Sequence, residues 1–92
     1  MPAWHILSLS GLAPNPARAD GPNVAFTLPA TGPGSLTLFD VAGRRVAWQD
    51  LSTFSPGPHT VRLTSARLGA GLYLIHLSHG GHHLTARGVV MR

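Results

Sequence analysis

Four histidines, His76, His79, His82 and His83, crowd around the glycine pair Gly80 and Gly81. Imidazole is the commonest protein metal ligand, and it suits nickel, copper and zinc. A hairpin through this stretch would bring two histidine-bearing strands within ligand reach. No Asp or Glu lies nearby to orient the rings, and a Gly-Gly turn is flexible. The simplest reading is a polar turn in a chain without lysine, with no metal bound; a metal site is the alternative. Catalysis has thinner material. Hydroxyls are plentiful, but the acids number three: Asp20, Asp40 and Asp50. No Gly-x-Ser-x-Gly elbow is present. Asp40 falls in an expected turn, where its carboxylate accepts hydrogen bonds from backbone amides, and Asp50 falls in a turn or at a strand end. We therefore expect no catalytic residue and no cofactor.

The elements that position these residues are limited by length and composition. A chain of 92 residues forms one domain at most. Gly and Pro supply 11 and 8 of the 92 residues, against roughly 12% in an average protein. Charged residues make up 11%, against about 25% usually. Lys, Glu and Cys are absent, and all seven basic residues are Arg. A helix bundle lacks the residues for its wet faces, and a disulfide scaffold or Cys-ligated zinc site is excluded. A hydrophobic content of 43% argues against disorder. No apolar run is long enough to span a membrane as a helix. The net charge of +4 comes from scattered arginines. Only Arg44 and Arg45 are adjacent, and strand neighbours point to opposite faces, so no basic surface for nucleic acid is expected. Residues 1–13 lack the basic start of a secretory signal. If the domain is exported, its signal is expected on a longer parent chain.

Short apolar runs divided by Gly and Pro predict an all-β sandwich or barrel. Seven strands are expected, at residues 4–10, 23–28, 36–38, 46–48, 59–64, 72–78 and 83–91, with a proline-stiffened crossover over 11–22. No 3.6-residue apolar period persists, so no helix is expected. Gly43 supplies the positive φ of a hairpin turn between the third and fourth strands. Phe26, Leu28, Leu36, Leu38, Val61, Leu63, Tyr73, Ile75 and Leu77 are the expected inward residues. Trp4, Phe39, Trp48, Phe54, Leu72 and Leu74 do not all fit that pattern; they are either packing between sheets or an apolar patch for a neighbouring domain, a partner or a sugar.

A series of short motifs runs in order along the chain. They are Asn15-Pro16-Ala17, Phe26-Thr27-Leu28-Pro29, Leu36 through Phe39-Asp40-Val41-Ala42-Gly43-Arg44-Arg45-Val46, Gly57-Pro58-His59-Thr60-Val61, Leu68-Gly69-Ala70-Gly71-Leu72-Tyr73, and Val89-Val90-Met91-Arg92 at the end. Over about residues 6–92 this series resembles the C-terminal sorting domain of type IX secretion cargo, and its middle resembles the related Ig-like domain of the flagellar hook-capping protein. The resemblance implies an immunoglobulin-like or fibronectin III-like β-sandwich of about seven antiparallel strands with Greek-key connections. It implies a single domain over 1–92 that ends a longer secreted protein. Its implied partners are the type IX translocon, a sortase-like protease that removes the domain, and the parent's N-terminal domain. The parent would pass through the periplasm to the cell surface or medium. By matched position, the sorting signal falls on the last strand and tail, Gly88, Val89, Val90, Met91 and Arg92. Asn15, Pro16, Asp40, Gly43, Gly71 and Tyr73 are structural markers. Arg87 stands where the family usually has Lys, and Gly88 is expected to weaken the strand. Leu68 through Tyr73 also resembles a tyrosine corner. A last strand at a sheet edge would offer backbone groups to a receptor by strand addition. The alternative function is a non-catalytic accessory module that binds carbohydrate or a neighbouring domain through Trp4, Trp48 or Phe39.

Overall fold

The computed structural model describes residues 6–12, 17–18, 23–63 and 68–91. Through them run β1 (Ser8–Leu12), β2 (Ala17–Arg18), β3 (Asn23–Leu28), β4 (Gly34–Phe39), β5 (Arg45–Asp50), β6 (Gly57–Arg62), β7 (Gly71–His79) and β8 (His82–Met91). No helix occurs among the described residues. One sheet has the order β1-β3-β6, the other β2-β8-β7-β4-β5. All pairings are antiparallel except β2 with β8. The chain changes sheet five times, after β1, β2, β3, β5 and β6, and this repeated crossing is the Greek-key exchange of an immunoglobulin-like sandwich.

Alternation builds the core. In β3, Val24, Phe26 and Leu28 are buried while Asn23, Ala25 and Thr27 are less so. Leu36 and Leu38 of β4 meet them from the other sheet, with Tyr73, Ile75 and Leu77 of β7. Leu12, Leu51 and Val90 complete the core, unanticipated from pattern alone. Each such side chain gives about 1.5–3 kcal/mol of transfer free energy when fully buried. Val61 and Leu63, expected inside, are only half-buried. Val61 lies on β6, which among the described residues has a neighbouring strand on one side only, and Leu63 follows the end of that strand. Phe54 is also half-buried. Its ring lies 6.1 Å from that of Phe26 and edge-on to His59 at 5.1 Å.

Two hairpin turns follow from their glycines. Gly80 and Gly81 have φ of 58° and 84°, the pair of positive values that a two-residue type I′ turn requires. Gly43 has φ of 82° and donates its N–H to the Asp40 carbonyl at 3.0 Å.

The start of the chain departs from expectation. β1 begins at Ser8, not residue 4, and continues through Gly11 and Leu12. Trp4 lies outside the described residues. The stretch 11–22, expected as crossover only, holds the end of β1 and all of β2. A shift of register between Leu9 and Gly11 keeps β1 on β3 and turns Leu12 into the core. The prolines at 14, 16 and 22 leave Ala17 and Arg18 with their N–H groups, and these two pair with β8.

Candidate functional site

The last strand is held by its pairing with β7, which runs without a break from Gly71 opposite Val90 to His79 opposite His82. Its side chains alternate. Val90 is 1% exposed, whereas Val89 is 42% and Met91 53% exposed. Gly88 is buried on the inner face, where a Cβ would overlap the Leu12 side chain of the opposite sheet. The expected weakness at Gly88 is thus a requirement of packing: the missing side chain lets Leu12 in. Arg92 lies outside the described residues, as do Asn15 and Pro16.

The expected open edge is only partly open. β2 pairs with Val90 and Met91 through Ala17 and Arg18, so the far end of β8 has a strand on both sides. From His82 to Gly88, β8 has no second strand among the described residues.

The outer face of the five-stranded sheet carries the exposed apolar residues of β8 into a larger surface. Leu72 lies opposite Val89, and Leu74 opposite Arg87. Phe39 lies opposite Leu74, and Trp48 opposite Thr37. Trp48 and Leu72 are exposed, while Phe39 and Leu74 are half-buried. The described members of the apolar surplus therefore divide: Phe54 packs on the core, and Phe39, Trp48, Leu72 and Leu74 line this face.

Of the expected structural markers, Asp40, Gly43, Gly71 and Tyr73 lie among the described residues. The Tyr73 hydroxyl donates to the Gly69 carbonyl at 2.7 Å, the tyrosine corner that ties the β6–β7 connection to β7. Gly71 faces Val90 across the sheet. Asp40 Oδ1 accepts the N–H groups of Ala42 at 3.0 Å and Arg44 at 2.9 Å, and Oδ2 accepts Arg44 Nε at 3.1 Å. The Arg44 amide, followed by its guanidinium, holds the Asp40 carboxyl below its ordinary pKa. Asp50, at the end of β5, is lowered by the Ser52 hydroxyl and then by the Ser52 amide. Both acids serve turns.

The histidine cluster divides by strand parity. His76 and His83 lie on the outer face, with His76 Nε2 3.1 Å from His83 Nδ1. His79 points inward, buried against Gly34, and its Nε2 has no hydrogen-bond partner among the described residues. His82 lines a shallow cleft with Ile6, Leu7, Pro29 and Leu84. No three metal-capable side chains gather among the described residues. His59, which the sequence pattern does not single out, stacks on Phe26 with 5.5 Å between rings and donates from Nε2 to the Ser55 carbonyl at 2.6 Å.

Fold and site together define a β-sandwich module whose last strand is half core and half exposed surface. The family of secretion system C-terminal sorting domains matches this chain over residues 12–91, and the chain belongs to it. It is a sorting signal of type IX secretion, which sends a protein to the cell surface or medium. Among solved structures it is similar to PorZ, an essential bacterial surface component of the type IX secretion system of Porphyromonas gingivalis. The identity is 18% and the TM-score 0.61, over 94% of this chain and 11% of that one. That likeness supports the fold. Comparison with curated proteins gives no match.

Proposed function

We propose that this domain ends a longer secreted protein as a single sandwich over residues 1–92, and that the translocon reads the outer face of its last strand. The observation that carries the reading is the alternation along β8. Gly88 and Val90 are consumed by the core, which leaves Val89 and Met91 as the side chains a receptor can touch. Backbone groups between His82 and Gly88 offer a second handle, by strand addition. In this reading the parent crosses the periplasm, and a sortase-like protease then cuts upstream of the sandwich. The family is not catalytic in general, and we assign no reactive centre to the domain itself.

The test is a reporter fused ahead of the chain and expressed in a cell competent for type IX secretion. Val89→Asp and Met91→Asp should leave the domain folded and cut export severely. Val41→Asp, on an exposed turn residue away from β8, should export normally. Equal export from all three would overturn the reading. The exposed Trp48 supports a second reading, an accessory glycan-binding module. That module would bind polysaccharide and remain on the mature protein, whereas a sorting module is cut away.

A further inference from the structure

The geometry points to a site apart from the sorting surface: we propose that His76 and His83 form a two-imidazole clip for a late first-row divalent cation such as zinc, nickel or copper. The register places His76 opposite Thr85 and His83 opposite Ser78. The two histidines are therefore diagonal neighbours on one face of the β7–β8 hairpin. Their facing nitrogens are 3.1 Å apart and the ring centroids 5.2 Å apart. Zinc–imidazole bonds are about 2.0–2.1 Å long. Two such bonds to nitrogens at that separation enclose an angle of about 98° at the metal, between octahedral and tetrahedral values. The spacing therefore suits one ion bound to both nitrogens, once the two outer-face rings turn their lone pairs from each other towards it.

The chemistry of the pair agrees with that geometry. His76 would bind through Nε2 and keep its proton on Nδ1. His83 would bind through Nδ1 and keep its proton on Nε2. In the present pair one facing nitrogen donates to the other, so one ring changes tautomer on binding and no net proton is lost from neutral rings. His83 is exposed and His76 half-buried, which leaves water to fill the remaining positions. Ser78 and Thr85 flank the pair on the same face and contribute hydroxyls at its rim. The backbone beneath is an unbroken antiparallel ladder closed by a tight turn, so little order is lost on binding. His79 faces the interior, and parity alone separates it from the pair. A bound ion would clip β8 to β7 and resist local opening of the strand that carries the sorting signal.

The experiment is calorimetric titration of the intact chain with zinc chloride and with nickel chloride, followed by NMR of the histidine rings. One ion per chain is expected, and nickel should broaden His76 and His83 before His59 or His82. Zinc at about 100 times its dissociation constant should raise the folded-to-unfolded ratio about 100-fold, a rise in melting midpoint of roughly 15 °C. H76A and H83A should each weaken binding by more than the roughly tenfold that loss of an outer hydrogen-bond partner costs. H59A and H82A should bind as the parent does. Circular dichroism checks each fold, and H76Q or H83Q replaces any alanine variant that unfolds. The proposal is overturned by an absence of one-to-one binding, or by binding that survives H76A and H83A, or by equal loss in H82A. None of these outcomes bears on whether the domain directs export.

Discussion

The two faces of the last strand share one backbone and differ in what they can tolerate. Inward, Gly88 and Val90 leave no free volume: one must lack a side chain so that Leu12 can enter, and the other is sealed at 1% exposure. Outward, Val89 and Met91 stand on the sheet with solvent over them. Because side chains alternate with period two, a contiguous Gly-Val-Val-Met contains two interleaved instructions. Even-numbered positions hold the sandwich closed, and odd-numbered positions are available to be read. Loss of export in a mutant therefore means different things on the two faces, and stability has to be measured beside it.

The inner face should break first and hardest. Val90→Asp buries a carboxylate with no partner, at a cost of about 3–5 kcal/mol, which for a domain this small approaches total stability. Urea denaturation should show it largely unfolded, and its failure to export would then be indirect. A well-folded Val90→Asp domain would show that the face is not closed as described. Gly88→Val is the next largest effect. It overpacks the Leu12 contact and should cost about 1–3 kcal/mol. Pairing it with Leu12→Ala should restore part of that loss, because the two positions share one space. If the double variant is simply the sum of the two, Leu12 is not what fills the missing side chain.

Much of this is legible in the sequence, and what is not has physical causes. The large apolar residues of β3 alternate, and β4 and β7 keep the same period at Leu36, Leu38, Tyr73, Ile75 and Leu77, although Phe39, Leu72 and Leu74 add apolar side chains to the outer face. The period-two pattern therefore places Phe26, Leu28, Leu36, Leu38, Tyr73, Ile75 and Leu77 inward. The tyrosine corner and the Asp40 turn are readable because their chemistry is local: Gly69 lies four residues from Tyr73, and Ala42 and Arg44 lie two and four from Asp40. Gly88 reads in the sequence as a weak point and is instead a packing requirement, because its cause, Leu12, is distant in the chain. Neither residue alone announces that the other will approach. β2 escapes the pattern for a similar reason. Two residues between prolines carry no periodic signal, and their pairing with Val90 and Met91 exists only in the folded sheet. The histidines show both sides of this. Their crowding is visible in the sequence, but only the register sends His79 inward and brings His76 to His83.

The smallest expected effect separates β8 from the remote hairpin by acid. Asp40 has its folded pKa lowered, first by the Arg44 amide, and Asp50 likewise by Ser52. A lowered carboxylate contributes stability that is fully present above its unfolded value, about 3.9, and that is lost as pH falls through the folded value. β8 holds no Asp or Glu, so it contributes nothing to stability changes in that window. Urea midpoints measured between about pH 5 and pH 2 should fall with acid, and the fall should be shallower in Asp40→Asn, which cannot lose a charge. The same substitution in a Val89→Asp background should bring back a slope, now from the outer face of β8, because the introduced acid titrates in that range near Arg87 (two residues along the same face). If Asp40→Asn leaves the acid slope unchanged, the turn carboxylate is not coupled to folding, and the division between a strand held by packing and a hairpin held by a charged turn does not hold.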